Sequence, residues 1–379
     1  MRILLVGEYS RLHNSLKEGL SELGHKVVIV GNGDGFKDFP VDYSIEARWS
    51  KSAPINFLRQ IIARLFNFDL GRIEQGLRFW KFLPLFRGFD VVQLINESPI
   101  QTNKTFELFL LRKLFKQNKN IFLLSCGCDY LSVEYLFSGK LYKSIIQPLQ
   151  QHPELRKEYG YVLEYRTQNH RKLHEFVYEN CRGIIASDID YQMPLNGNKK
   201  FLSLIPNPIN YTKLPFKALN PNDTIVIFLG INRWNYHQKG ISYFERALKV
   251  INEKYHEKTE VIISENVPYA AYIESYDKAH IVLDQVYAYD QGYNALEAMA
   301  KGKVVFTGAE KEFESYYNLS EKVAINTVPD VDSIVRDLSY LIENPNEIIA
   351  IGERARKFIE VEHDYRIIAN RYMEIWSAH

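Results

Sequence analysis

Short apolar runs recur along this chain at intervals that suit strands alternating with helices. Ile3–Val6, Val27–Val30, Asp90–Ile95, Ile121–Ser125 and Gly183–Ala186 are nearly continuous in apolar residues, the pattern of parallel strands buried on both faces. Between the first two, about Asn14 to Leu23 reads as an amphipathic helix closed by Gly24. A second series begins at Ile225–Leu229, followed by Gly230, a polar loop and an amphipathic helix from Ile241 to Val250. Asp284 to Thr307 then reads as a strand end, a glycine-containing loop, a helix and a strand at Val304–Phe306. Ala295, Leu296, Ala298, Met299 and Ala300 pack that helix down, and Gly302 ends it. Between the two series, Ile205 to Pro215 holds three prolines among polar residues and marks a linker. The fold class this predicts is α/β in two halves.

Length and composition refine the picture only a little. A chain of 379 residues suits two domains and can bury a large core. Its 47 Lys and Arg nearly cancel its 46 Asp and Glu, so the overall charge gives no support to a nucleic-acid partner. Cys126, Cys128 and Cys181 have no zinc-like spacing, and reduced thiols in a cytoplasmic protein account for them most simply. The opening residues read as a first strand, not a signal peptide, and no apolar run approaches the length of a membrane span.

Candidate chemistry concentrates in the second series. Gly292 allows backbone amides close to a ligand, and a helix starting near Asn294 aims its N–H groups and positive dipole end at an anion. Glu297 lies about one turn further in. Arg233 and Lys239 bracket the loop after the Ile225–Leu229 strand. Read singly, these are an ordinary loop, helix and strand with two solvated cations.

The segment NALEAMAKGKVV, 294–305, resembles the most recognisable stretch of the retaining glycosyltransferases of family four, the bacterial polysaccharide type. That resemblance implies the GT-B fold: two Rossmann-like domains with parallel sheets facing across a cleft. It puts an acceptor-binding domain at 1–205 and a nucleotide-sugar domain at 206–364. Its "PNP" element at 206–208 is similar to the hinge, and a helix at 365–379 would pack back onto the first domain. Glu297 would bind the donor ribose, and the amides of Gly292, Tyr293 and Asn294 its phosphates. Arg233 and Lys239 would grip the diphosphate, with Gly7 and Gly230 in the same site. The resemblance also implies a UDP-linked donor, retention of configuration, and no metal or other cofactor. The family's second glutamate, eight residues before Glu297, is replaced here by Tyr289, flanked by Asp290. Both are expected near the transferred sugar.

The first half adds three features. Asp129, in CGCDYL, resembles a "GSD" element and is either a group acting on the sugar or a helix N-cap. Arg11 and His13 in the first loop are acceptor-side candidates, against a plain surface reading. Segment 51–87 carries seven cations against two acids, interleaved with apolar and aromatic residues, and 106–116 reads as a second basic, apolar helix. Such faces suit an anionic membrane surface, or simply cover the sheet. The expected activity is sugar transfer from a nucleotide-sugar to a saccharide or lipid-linked acceptor, in a cytoplasmic protein peripheral on the inner leaflet. A nucleotide-sugar epimerase or hydrolase of the same fold, and a catalytically silent sugar-nucleotide-binding subunit, are the alternatives.

Overall fold

The computed structural model describes residues 1–51, 69–218, 220, 224–265, 267 and 269–379. They divide into two compact units. Unit 1 comprises Met1–Glu134, Tyr161–Pro208 and Tyr365–His379; unit 2 comprises Tyr135–Gly160 and Ile209–Asp364.

Unit 1 is built on a parallel sheet of seven strands: β1 (Arg2–Val6), β2 (Lys26–Gly31), β3 (Tyr43–Ser44), β4 (Val91–Leu94), β5 (Ile121–Ser125), β6 (Gly183–Ala186) and β7 (Phe201–Leu204). Their order is β3-β2-β1-β4-β5-β6-β7, so the progression of strand order reverses between β1 and β4, which still pair in parallel. β4, β5 and β6 are buried at every residue, which is why their sequences run apolar without alternation. The first helix, Leu12–Glu22, starts two residues before the sequence expectation. It packs on the C-terminal helix Tyr365–Ala378 at Gly19. A Cβ there would fall 2.3 Å from the Tyr365 carbonyl oxygen, so only glycine allows this approach. Tyr365 Oη also donates to Glu22 Oε1 at 2.5 Å.

Unit 2 holds a five-stranded parallel sheet: β8 (Ile225–Ile231), β9 (Thr259–Glu265), β10 (Ile281–Leu283), β11 (Val304–Thr307) and β12 (Ile325–Asn326), ordered β12-β11-β10-β8-β9. Its core is formed by Ile227 and Leu229 of β8 with Phe244, Ile251, Val304, Phe306 and Leu338. Helices Ile241–Tyr255 and Val331–Glu343 pack together over it.

The division differs from the expected boundaries in two respects: Pro206–Pro208 stays with unit 1, and a stretch of the first half joins unit 2. Tyr135–Gly160 lies within the first 205 residues but belongs to unit 2. Lys143 explains the attachment, being fully buried with its ammonium 2.6 Å from Glu310 Oε1 and 2.8 Å from the Thr327 carbonyl.

Candidate functional site

In an open parallel sheet, ligands bind beyond the carboxyl ends of the strands, where the order reverses. In unit 2 that reversal falls between β8 and β10, which are neighbours but not consecutive in sequence. The loops leaving these two strands carry Arg233, Lys239, Asp284 and the approach to Glu297.

After β8, the Asn232 side chain accepts the Trp234 amide at 3.0 Å and turns the chain. Arg233 donates twice, Nε and Nη2 each 2.6 Å from the Glu265 carboxylate at the end of β9. Its guanidinium also stands 4.8 Å from the Tyr236 ring centre. The pairing raises the guanidinium and lowers the carboxyl relative to their ordinary values. The Arg233 side chain remains 52% exposed, so it is oriented without being enclosed.

Lys239 ends the short helix Tyr236–Lys239. Its carbonyl accepts the Val286 amide at 2.9 Å. Its ammonium lies 2.8 Å from Oδ1 of buried Asp284, whose other oxygen accepts Thr307 Oγ1 at 3.3 Å. This contact bridges the reversal point from the β8 loop to the β10 loop. Gly240 follows with φ +69°, and a Cβ there would sit 2.8 Å from Val286 Cβ. Glycine therefore permits both the turn and the approach.

The helix expected near Asn294 spans Tyr293–Ala300, with Gly292 at its N-cap and no capping side chain. Gly292 has φ −72°, which any residue adopts. An added Cβ would meet only Gln285 Nε2, at 3.7 Å, so the glycine leaves open space above the first turn. Glu297 is half-buried. Burial first, then the Glu297 charge, push the Tyr276 phenol well above its ordinary pKa; that hydroxyl donates to the Asn294 carbonyl at 2.9 Å. Gly230, within β8, packs under Tyr272, whose Cε2 would lie 2.8 Å from an added Cβ.

Tyr289 and Asp290 are both buried. The Tyr289 hydroxyl accepts the Tyr142 amide at 3.2 Å and is also bonded by the Lys143 amide. Asp290 Oδ1 accepts the amide of its neighbour Gln291 at 2.7 Å. The loop they form is pressed against Gly308, where an added Cβ would stand 2.6 Å from the carbonyl oxygens of Ala288 and Asp290. Burial alone would raise the Glu310 carboxyl, but Lys143, the Tyr142 hydroxyl and Asn326 Nδ2 hold it below the usual range. Position 289 is thus occupied by a residue that fastens Tyr135–Gly160 onto the rest of unit 2.

The other candidates lie in unit 1, at the ends of β1 and β5. Gly7 has φ +90°, and a Cβ would clash with Ile95 Cγ2 at 2.3 Å. Arg11 pairs with Glu18 at 3.2 Å. His13 is fully buried, where a surface position was the alternative. Its Nδ1 donates to the Gly7 carbonyl at 2.7 Å, burial lowers its pKa to about 4, and Nε2 has no partner among the described residues. Beside it, buried Glu8 accepts both the amide and side chain of Asn14, yet burial raises it to about 7. Asp129 is buried with both oxygens occupied: Oδ1 accepts the Ser132 amide at 2.6 Å, and Oδ2 accepts Ser125 Oγ at 3.0 Å and Tyr178 Oη at 3.4 Å. That is the geometry of a helix N-cap.

Sequence reasoning missed Glu97, at the end of β4. Burial alone would raise this carboxyl, but His170 Nε2 and His174 Nδ1, each at 2.8 Å, hold it down to about 2. The signal was present in the sequence, since His170 and His174 stand four residues apart on one face of helix Gln168–Asn180.

Residues 233–374 match the model of the family described as glycosyl transferase-like. No curated protein matches the chain. Among solved structures, sucrose-phosphate synthase from Thermosynechococcus elongatus is similar at TM-score 0.61 and 15% identity, with all of both chains covered. HepE of Anabaena, solved with UDP and glucose, is similar at TM-score 0.60 and 12% identity, again over all of both chains. UDP-GlcNAc 2-epimerase from Neisseria meningitidis bound to UDP-GlcNAc follows at 0.52 and 12%, with the same coverage. At these identities the likeness is one of fold: α/β, with two Rossmann-like units on parallel sheets, as in GT-B glycosyltransferases.

Proposed function

We propose that this chain is a glycosyltransferase that binds its nucleotide-sugar donor at the reversal point of the unit 2 sheet. The observation that carries this reading is the placement of Arg233 and Lys239 in the connection after β8, and of Glu297 on the helix after β10, the two neighbouring strands at the reversal. They lie within the span that matches the glycosyl transferase-like family model. The donor is UDP-linked, in keeping with the UDP and UDP-GlcNAc named for two of the similar structures.

In this reading Glu297 accepts hydrogen bonds from the ribose diol, and the amides at 292–294 meet the phosphates. Breaking the glycosidic bond leaves negative charge on the diphosphate. Arg233 and Lys239 stabilise that charge more in the transition state than in the ground state. Transfer proceeds with retention: an acceptor hydroxyl of a saccharide attacks the anomeric carbon on the leaving-group face, the bond to the phosphate oxygen breaks, and that oxygen takes the hydroxyl proton. A second reading is favoured by the epimerase among the similar structures. It is conversion of the nucleotide-sugar without an acceptor.

A thermal-shift screen against UDP, GDP, ADP, TDP, CMP and their sugar conjugates tests the donor site. A ligand at about 100 times its Kd adds about 2.7 kcal/mol of stability. One nucleotide should respond, and Glu297→Ala should raise its apparent Kd. No response from any of them, or an unaltered constant in Glu297→Ala, removes the assignment. UDP release that depends on added saccharide separates transfer from epimerisation.

A further inference from the structure

One surface of unit 1 is built unlike the rest. Helices Leu70–Phe82 and Lys104–Gln117 pack closely at Gly76, where a Cβ would fall 2.5 Å from the Phe106 ring. Above that contact three aromatic rings meet: Trp80 lies 5.5 Å from Phe109 and 6.1 Å from Phe106, centre to centre. Trp80 is 49% exposed, and Leu77, Leu85 and Phe109 beside it in the two helices and the following turn are exposed as well. Large apolar side chains grouped on a surface in this way mark an interaction site.

The exposed charges of these two helices and of the turns that follow them have one sign. Residues 70–88 and 104–119 contain nine Lys and Arg (Arg72, Arg78, Lys81, Arg87, Lys104, Arg112, Lys113, Lys116 and Lys119) against Glu74 and Glu107, so 9 − 2 gives +7. Both glutamates are buried. Arg72, Arg78 and Lys104 are paired with carboxylates. Lys81, Arg87, Arg112, Lys113, Lys116 and Lys119 are exposed and have no carboxylate partner among the described residues. Lys113 stands 5.5 Å from the Phe109 ring centre, so cation and aromatic share one face.

We propose that this face docks on an anionic lipid bilayer, with Trp80, Phe109 and Leu77 entering the headgroup boundary and the six cations facing lipid phosphates. Aromatic rings suit that boundary because one part of each is apolar and another tolerates water, and a surrounding basic ring adds attraction to acidic lipids. Among the described residues no helix is long and apolar enough to cross a membrane. Of the sequence expectation for 51–87, residues 52–68 lie outside the described residues and take no part here.

Flotation of the full chain with vesicles tests this without reference to turnover. Vesicles of phosphatidylglycerol and phosphatidylcholine in equal parts should carry the protein up, and pure phosphatidylcholine should not. Lys113→Gln with Lys116→Gln should weaken binding about thirtyfold, from roughly 1 kcal/mol per cation, and added salt should do the same to the parent. Trp80→Ser with Phe109→Ser should reduce what binding survives at high salt, and unchanged thermal midpoints show that the variants fold. Equal binding to neutral vesicles, no binding to either, or binding indifferent to both double variants overturns the proposal. So does capture of polyuridylate in place of vesicles by the same lysines.

Discussion

Asp284 is buried and holds the Lys239 ammonium at 2.8 Å, so the cation proposed for the phosphates also neutralises a carboxylate that water does not reach. Lys239→Ala should therefore have two effects. It leaves Asp284 unpaired, costing about 1–3 kcal/mol of stability, and it removes transition-state stabilisation worth about 10²–10³ in kcat. Adding Asp284→Asn should restore the thermal midpoint and leave turnover lost. Recovery of both together would mean that Lys239 acts only through folding. Glu8 gives a pH signature. Its folded pKa of about 7 lies above the ordinary 4.5, so folding favours the protonated carboxyl. Its contribution is complete below about 4.5 and is lost as pH rises through about 7. The urea midpoint of the parent should fall across that window relative to Glu8→Gln. Parallel profiles would show that Glu8 does not titrate there.

At the level of elements, the Tyr135–Gly160 segment is held by polar anchors. Tyr289 accepts two of its backbone amides, and Lys143 enters the pocket formed by Glu310, Asn326 and the Thr327 carbonyl. Tyr289→Phe should leave those amides without an acceptor, at a cost of about 1–3 kcal/mol. The measurable result is faster proteolysis within 135–160 with donor affinity little changed. Loss of donor affinity at an unaltered cleavage rate would instead put the Tyr289 hydroxyl on the sugar. The β-strands were easy to read because burial on both faces makes each an unbroken apolar run, as in Ile225–Leu229. This segment was not, because a buried lysine with its carboxylate partner leaves no periodic trace, and Lys143 looks like any solvated cation until Glu310 is beside it.

Across the whole molecule, what could be read from sequence was the chemistry held within one continuous stretch. The loop, helix and strand from Asp284 to Thr307 stand as expected, because glycine positions and apolar spacing are local properties. Asp129, by contrast, is enclosed by Ser125, Ser132 and Tyr178, and the last of these comes from a helix far along the chain. Sequence spacing alone does not report such convergence. The order in which the chain visits the two units has a consequence for synthesis. It passes from unit 1 to unit 2 at 134/135, back at 160/161, forward again at 208/209 and back at 364/365. Neither unit is therefore a contiguous gene fragment, and a cut at 208 leaves unit 1 without the helix that seats on Gly19 and unit 2 without the lysine of Glu310. On the ribosome, the β-sheet of unit 1 emerges first, yet its Gly19 face stays uncovered until residues 365–378 leave the tunnel, after all of unit 2 has been made.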